Sequence, residues 1–288
     1  MPVLAAFWQQ PLLRAGLLLA GLGLGALGVA RLALEARQPP ARCPEGMSLA
    51  GERCCGAGQS LAGGACHGAA RSCAATQNRD ASGQCVARFG VVALAGGDLF
   101  IGAADWDGQS GAERFPRTRV APFRLDLVEV TRERYRRDCD ACAVAEGEPG
   151  LPVTNVGPRE ADAFCKRQRG RLPTGAEWVW AAAGSDARRY PWGNAGLVCR
   201  RAAFGLETGP CAASGAPELV GSRPDGASPE GVLDLAGNVA EWTRESDGGY
   251  AARGGSFRST SAAELKSWAA LAGSEKALHI GFRCAYPP

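Results

Sequence analysis

The rhythm of apolar and polar positions divides this chain into unlike stretches. Ala15 to Ala30 is an unbroken apolar and glycine run between Arg14 and Arg31. Extended through Leu34 it reaches about 20 residues, the length that crosses a bilayer. Gln38-Pro39-Pro40 ends the run and opens a short linker. From Cys43 to Val86 large apolar residues nearly vanish, Met47, Leu49 and Leu61 being the rest of them.

Regular periodicity begins near Phe89. Val91–Leu94 and Asp98–Ile101 read as strands joined across Gly96-Gly97, and Phe123-Arg-Leu125-Asp-Leu127 alternates as a strand with one buried face. Thr131 is placed to cap a helix with Glu133 in its first turn and Tyr135 facing inward. Pro158 at the first helical position, apolar Ala161, Phe164 and Cys165, and Gly170 as terminator describe a second helix. Thr174 and Glu177 form a capping box that opens a third, running through Trp178, Ala181 and Ala182. After Gly184 glycine, proline and polar residues dominate. The pattern predicts an α+β domain whose loop-rich second half needs staples.

Composition adds a compartment. Twelve cysteines, several in close pairs, indicate disulfides made in an oxidising environment. The apolar run supplies the route there. An uncleaved anchor is favoured over a cleaved signal peptide, although Gly28-Val29-Ala30 could serve as a cleavage site. The arginines downstream, Arg31, Arg37 and Arg42, argue for the opposite orientation; the cysteines outweigh them, so the main domain is expected outside the cytoplasm, in a periplasm or on a cell surface. The organisation expected is a tail over 1–14, a transmembrane segment over 15–34, a linker over 35–42, a cysteine-rich module over 43–88 and a main domain over 89–288. The six module cysteines need three disulfides, because the segment cannot build a core. Fifteen connectivities are open. Adjacent Cys54-Cys55 and the single His67 lack the spacing of a zinc site. A net charge of +3 with interspersed signs gives no nucleic-acid footprint.

Cys199 and Cys211 bracket a loop and are expected to pair. Cys139-Asp-Ala-Cys142 has redox spacing, but no thioredoxin-like βαβ context surrounds it, so it reads as a loop staple. Arg171, before a fixed-φ proline and a capped helix, reads as a structural fork donor, and Trp178, Trp192 and Trp242 as core or groove walls.

Seven blocks follow one another in a particular order: Glu129-Val130-Thr131 with Tyr135; Pro152-Val-Thr-Asn-Val156 through Phe164-Cys165; Arg171-Leu-Pro-Thr174 with Glu177-Trp178; Tyr190-Pro-Trp-Gly-Asn194 with Val220-Gly-Ser222; Gly237-Asn-Val-Ala-Glu-Trp242; Arg253-Gly-Gly-Ser256; and Gly281-Phe-Arg-Cys284. Together they resemble the formylglycine-generating enzyme (sulfatase-modifying factor) family over roughly Val91 to Cys284. The resemblance implies a modified C-type-lectin-like fold and a Cys165–Cys284 disulfide. It implies a calcium site formed by the Asp234 and Glu241 side chains with the Gly237 and Val239 carbonyls, the hard oxygen set calcium needs. The family's second calcium site has no clear equivalents in Arg201–Gly205.

In the family's oxidases the Arg-Gly-Gly-Ser run leads into a copper-binding cysteine pair, three and eight residues past the serine. Those positions here are Ser259 and Glu264. Neither is a soft thiolate, so copper is not expected. Iron-dependent relatives use histidine ligands, and a chain with only His67 and His279 cannot assemble three of them. No base is nominated for Ser256 or Ser259 as a nucleophile. The expectation is therefore a membrane-anchored, non-catalytic binding or scaffolding module for a protein, a peptide or an envelope component. The alternative is an oxidase of a substrate cysteine that draws its thiols from elsewhere, such as Cys139 and Cys142.

Overall fold

The computed structural model describes residues 43–51, 53–62, 65–74, 77–79, 83–87, 89–101, 115–139, 147–197, 199–205, 211, 215–272 and 275–288. The expected anchor over 15–34 lies outside these residues. Among the described residues no helix is long and apolar enough to cross a membrane.

The cysteine-rich segment folds as three two-stranded hairpins: β1 (Met47–Ala50) with β2 (Arg53–Gly56), β3 (Ser60–Ala62) with β4 (Ala65–His67), and β5 (Gln77–Arg79) with β6 (Cys85–Ala87). Disulfides join Cys43 to Cys54, Cys55 to Cys66 and Cys73 to Cys85, at sequence separations of 11, 11 and 12. Each loop of this size is worth about 3 kcal/mol in the chain-entropy account, which is how hairpins without a core persist.

The main domain is α+β. Its strands are β7 (Val91–Leu94), β8 (Gly97–Ile101), β9 (Phe115–Val120), β10 (Phe123–Asp126), β11 (Ala240–Arg244), β12 (Tyr250–Arg253), β13 (Ala270–Ala272), β14 (Ile280–Gly281) and β15 (Ala285–Tyr286). Its helices are α1 (Arg132–Arg137), α2 (Pro158–Arg167) and α3 (Gly175–Ala183). The caps are those the sequence predicts: Thr131 Oγ accepts from the Arg134 N–H, and Thr174 with Glu177 closes a capping box.

One sheet runs β15-β10-β7 and another β13-β12-β11-β14, while β8 and β9 pair only with each other. The expected pairing of β7 with β8 across Gly96-Gly97 is therefore incorrect. Gly96 lies at φ 65° and packs against the Val120 carbonyl, so the chain turns away and sends β8 to β9. The four-stranded sheet in the loop-rich half has no counterpart in the sequence reading. Its strands are two to five residues long and give periodicity nothing to repeat.

α3 is buried nearly throughout; Trp178, Val179 and Ala181 to Ala183 pack with Leu99, Phe123, Leu125 and Leu235. A second cluster stacks Tyr135 on Phe164, ring centroids 5.0 Å apart, with Phe282 edge-on to both. Beside it Cys165 bonds to Cys284 across 119 residues, a closure worth about 5 kcal/mol in the same entropy account. Cys199 pairs with Cys211 as expected. Cys139 is also oxidised, while Cys142 lies outside the described residues. Every described cysteine is in a disulfide.

Candidate functional site

Two places carry the functional question, and both lie around the loops that join the sheets. The first is the segment after β12. Arg253 sets its Nη2 3.0 Å from each oxygen of Glu245. Gly254 and Gly255 then turn the chain with φ of 91° and 66°. A side chain at Gly255 would collide with Ser259 Oγ at 2.8 Å and the Glu264 carbonyl at 2.9 Å. The Ser259 hydroxyl and the Glu264 main-chain carbonyl therefore both lie against one glycine. The Ser259 hydroxyl is spent locally. Ser259 is 3% exposed and its Oγ accepts from the Ser256 N–H at 2.9 Å. Ser256 Oγ in turn accepts from the Arg258 N–H at 3.1 Å. Glu264 sits in a single turn, Ala262–Leu265, capped by Ser261. That turn drives Leu265 into an apolar cluster with Tyr190, Ala202 and Phe204.

The second place is a buried cluster of charges. Glu129 follows β10, Asp234 sits at φ 58° in the turn before β11, Glu241 is on β11, and Arg283 joins β14 to β15. Arg283 grips Glu241 with two bonds of 2.6 Å, and Trp178 Nε1 adds a third at 2.8 Å. Asp234 Oδ2 accepts from the Gly221 N–H at 2.5 Å. Glu129 accepts from Asn238 Nδ2 at 3.0 Å through Oε1, and its other oxygen is buried with no donor. Burial pushes the Glu129 carboxyl well up, with Asp234 and Glu241 adding repulsion. Burial raises Asp234 as well. Gly237 is required here: at φ 81° an added Cβ would lie 2.3 Å from the Ala203 carbonyl.

The expected calcium ligands thus run from the loop before β11 to Glu241 on the strand itself, and Asp234 and Glu241 share one cluster. Both oxygens of Glu241, however, already serve Arg283 and Trp178. No group of three or more His, Cys, Asp or Glu side chains is arranged as a metal set among the described residues. A cation here would rest on two carboxylates and backbone carbonyls.

The cluster reaches the cysteine-rich module. Asn238 Oδ1 accepts from the Glu218 N–H at 2.9 Å. The Glu218 carboxylate meets Arg223 on one side and Arg53 of β2, at 3.2 Å, on the other. Gln77 of β5 donates to the Gly221 carbonyl at 3.0 Å. Sequence reasoning quoted Glu129 and Arg283 only as parts of motifs and missed the Arg53–Glu218–Arg223 contact. A usable signal existed for Glu129, which continues the inward alternation of Phe123, Leu125 and Leu127 as a carboxylate.

Arg171 forks onto Glu177 with two bonds of 2.6 Å and donates to the Leu172 carbonyl, the structural role expected for it. Trp178 and Trp242 are fully buried, and Trp192 stacks on Tyr190 with centroids 5.1 Å apart. Separately, Arg134, Asp126 and Tyr286 bond to one another on the wall of a cavity of about 270 Å³ that also reaches Glu129. Burial, with Asp126 alongside, pushes the Tyr286 phenol up to about 12.

A family model described as the sulfatase-modifying factor enzyme 1-like domain matches residues 77–287, from β5 to the last residues of the domain. The chain belongs to this family. Among its relatives is a formylglycine-generating enzyme of Mycobacterium tuberculosis, 36% identical over 119 residues, 39% of this chain and 38% of that one. A hercynine oxygenase of Mycolicibacterium thermoresistibile is 39% identical over 99 residues, covering 33% of this chain and 21% of the relative. An inactive C-alpha-formylglycine-generating enzyme 2 of Mus musculus is 30% identical over 209 residues, covering 53% and 68%. The matches to the first two therefore span about two fifths and one fifth of those proteins' lengths. In structure, Treponema denticola variable protein 1 superposes with a TM-score of 0.56 at 20% identity, covering 69% of this chain and 95% of the other. At that identity the likeness concerns the fold.

Proposed function

We propose that this chain is an exported, membrane-anchored member of the family that works as a binding or scaffolding module rather than as an oxidase. The observation that carries the reading is the state of the segment after Arg253. Where the oxidases of the resembling family hold two thiolates, this chain holds a buried hydroxyl engaged to the Ser256 N–H and a carboxylate on a capped turn. Neither is a ligand for a soft metal. The other source of thiols considered, the Cys139 region, is oxidised at Cys139.

What remains is a stapled frame that presents long loops, the usual carriers of recognition on a rigid scaffold. A mouse relative named as inactive supports a member of the family without the oxidase activity. The module's disulfides support an oxidising compartment. The ligand class that suits such a surface is a protein, a peptide or an envelope component.

The test takes the full chain in detergent with its disulfides intact. It is loaded with Cu(I), dialysed, analysed for metal, and incubated with a cysteine-containing peptide under oxygen. The expected result is no retained copper and no aldehyde by mass spectrometry. Retained copper with conversion of the cysteine to an aldehyde would overturn the reading.

A further inference from the structure

The antiparallel sheet β15-β10-β7 turns one face to the core and the other to solvent. Val92, Leu94, Phe123, Leu125 and Ala285 make the inner face. The register sets Val91 opposite Asp126, Ala93 opposite Arg124 and Arg124 opposite Tyr286, so these side chains share the outer face. The ladder continues through the Leu127 N–H, which donates to the Gly90 carbonyl, and this brings Phe89 to the same side. A solvated face of this kind ordinarily alternates to polar residues. β7 instead offers Phe89, 61% exposed, Val91, 46% exposed, and Ala93, exposed as well.

α1 closes one end of this face, where Arg134 bonds to Asp126 and Tyr286. It brings positive charge with it. Phe89, Val91, Arg134 and Arg137 line one cavity of about 270 Å³. From Arg124 to Asp138 the chain holds five arginines and four carboxylates, and two of those carboxylates, Asp126 and Glu129, are buried. The exposed charge is therefore positive in excess. Arg167 of α2 adds to it: its guanidinium lies 5.7 Å from the centre of the Phe164 ring, beside which Arg134 also sits at 5.9 Å. An aromatic ring and an aliphatic side chain among arginines suit the interface of a bilayer, whose headgroup layer offers anions above an apolar boundary. The sequence puts a bilayer within reach. Residues 35–42, which follow the apolar run, span at most about 29 Å fully extended. They lead into Cys43 of the module, whose last strand ends at Ala87, just before Phe89.

We propose that the outer face of β7, with α1 beside it, docks on the anionic headgroup layer of the bilayer, Phe89 and Val91 entering at headgroup level while the exposed arginines meet lipid phosphates. The inference rests on the anchoring proposed above and adds a surface to it. No pocket for a single headgroup is required, because Arg134 is already engaged by Asp126 and Tyr286. The attraction is to the layer as a whole. A domain held by this face has a fixed orientation on its membrane, which decides which of its loops a ligand can reach.

The experiment reconstitutes the full chain, disulfides intact, into vesicles of phosphatidylcholine and of an equal mixture with phosphatidylglycerol. Each carries a trace of lipid with a photoactivatable diazirine at its headgroup, and mass spectrometry maps the labelled residues after irradiation. Labelling is expected on Phe89 to Leu94 and on Arg132 to Arg137, stronger in the anionic vesicles. Leu271 and Leu278, exposed apolar residues outside this face, should stay at background. Arg136→Gln with Arg137→Gln should weaken the labelling by up to about twentyfold, each basic residue at an anionic surface being worth about fivefold. Phe89→Asp with Val91→Asp should bring it to background, and since both side chains are exposed this variant is expected to melt with the wild type. If the chain leaves the vesicles in an alkaline carbonate wash, the anchor fails and the proposal with it. If it stays and residues 89–94 are labelled no more than Leu271 and Leu278, the docking surface fails and the anchor stands. Labelling unchanged in the arginine variant would overturn the assignment to anionic headgroups. A dimer in detergent that Phe89→Asp disperses, with no lipid label on this face, would give the face to a second copy of the chain and overturn the proposal.

Discussion

The cysteine-rich hairpins and the domain they rest on solve the same problem by opposite means. Among the described residues of 43–87 little is buried beyond Cys54, Cys55, Ala70, Ala74 and Gln77, and three short-range disulfides carry the stability of this region. The domain buries complete aromatic and aliphatic clusters, and of its bridges between described residues one acts at long range and one closes a loop. It also buries charge: Arg283 and Glu241 are 0% exposed and fully bonded. Covalent staples tolerate a poor interior, whereas a buried ion pair demands that every neighbour be in place. The two regions meet at Arg53 and Glu218. Their interface inherits the domain's device, since no disulfide among the described residues crosses it.

The largest effect expected from a single change is in the domain. Arg283→Met leaves Glu241 buried and unmatched, a loss of about 3–5 kcal/mol when one partner of a buried pair is removed. The domain's thermal transition should fall by ten degrees or more, or the chain should fail to accumulate folded. If Arg283→Met melts within two degrees of the wild type, buried charge is not what separates the domain from the module.

Next comes the module. Replacing Cys43 and Cys54 together with serine should cost it about 3 kcal/mol. Limited proteolysis should then cut between residues 43 and 87 while the domain's transition stays within about a degree, because the bridge closes a loop wholly inside the module. A matched fall of the domain transition would show that the two regions fold as one.

Much of this contrast was legible in the sequence, for reasons that follow from range. Thr131, Pro158 and Thr174 act on neighbours within four residues, and so their helices were readable. The scarcity of large side chains around six cysteines pointed to staples rather than a core. The Cys165–Cys284 bridge and the domain fold came through resemblance to a known family. The pairing of β8 with β9 was not legible, since a glycine at positive φ both permits a hairpin and redirects the chain. Nor was the cluster around Arg283, whose members lie up to 154 residues apart and have no local pattern in common. Ser259 and Glu264 could be named as positions, but only the structure shows Ser259 Oγ held by the Ser256 N–H.

A smaller effect belongs to the junction. Arg53→Ala removes one arginine from Glu218 but leaves Arg223, whose Nε donates to Glu218 at 2.9 Å, to match the charge. The expected loss is about 1–3 kcal/mol, the value of a charged hydrogen bond. Hydrogen exchange should quicken at Gly221 and Ser222, which sit between the two regions, and not in α3. Exchange rising equally in α3 would mean that Arg53 supports the whole domain.

Acid gives the gentlest probe of the same junction. Burial tends to raise the Glu218 carboxyl, but Arg223 and then Arg53 outweigh it and hold the group below its usual range. Arg171 does the same for Glu177 inside the domain. A carboxyl with a depressed folded pKa adds stability above its unfolded value, about 4.3, and that contribution is lost as pH falls through the folded value. Asp126 has the opposite sign: burial raises it, so acid relieves rather than removes its contribution. Between roughly pH 4.3 and the lower folded values, the junction and the Arg171–Glu177 fork should weaken together. Glu218→Gln has no charge left to lose and should flatten the acid limb of module release, followed by proteolysis, while leaving the Arg171–Glu177 part of the domain's acid response in place. An unchanged acid limb in Glu218→Gln would place the contact between the two regions elsewhere than on this carboxylate.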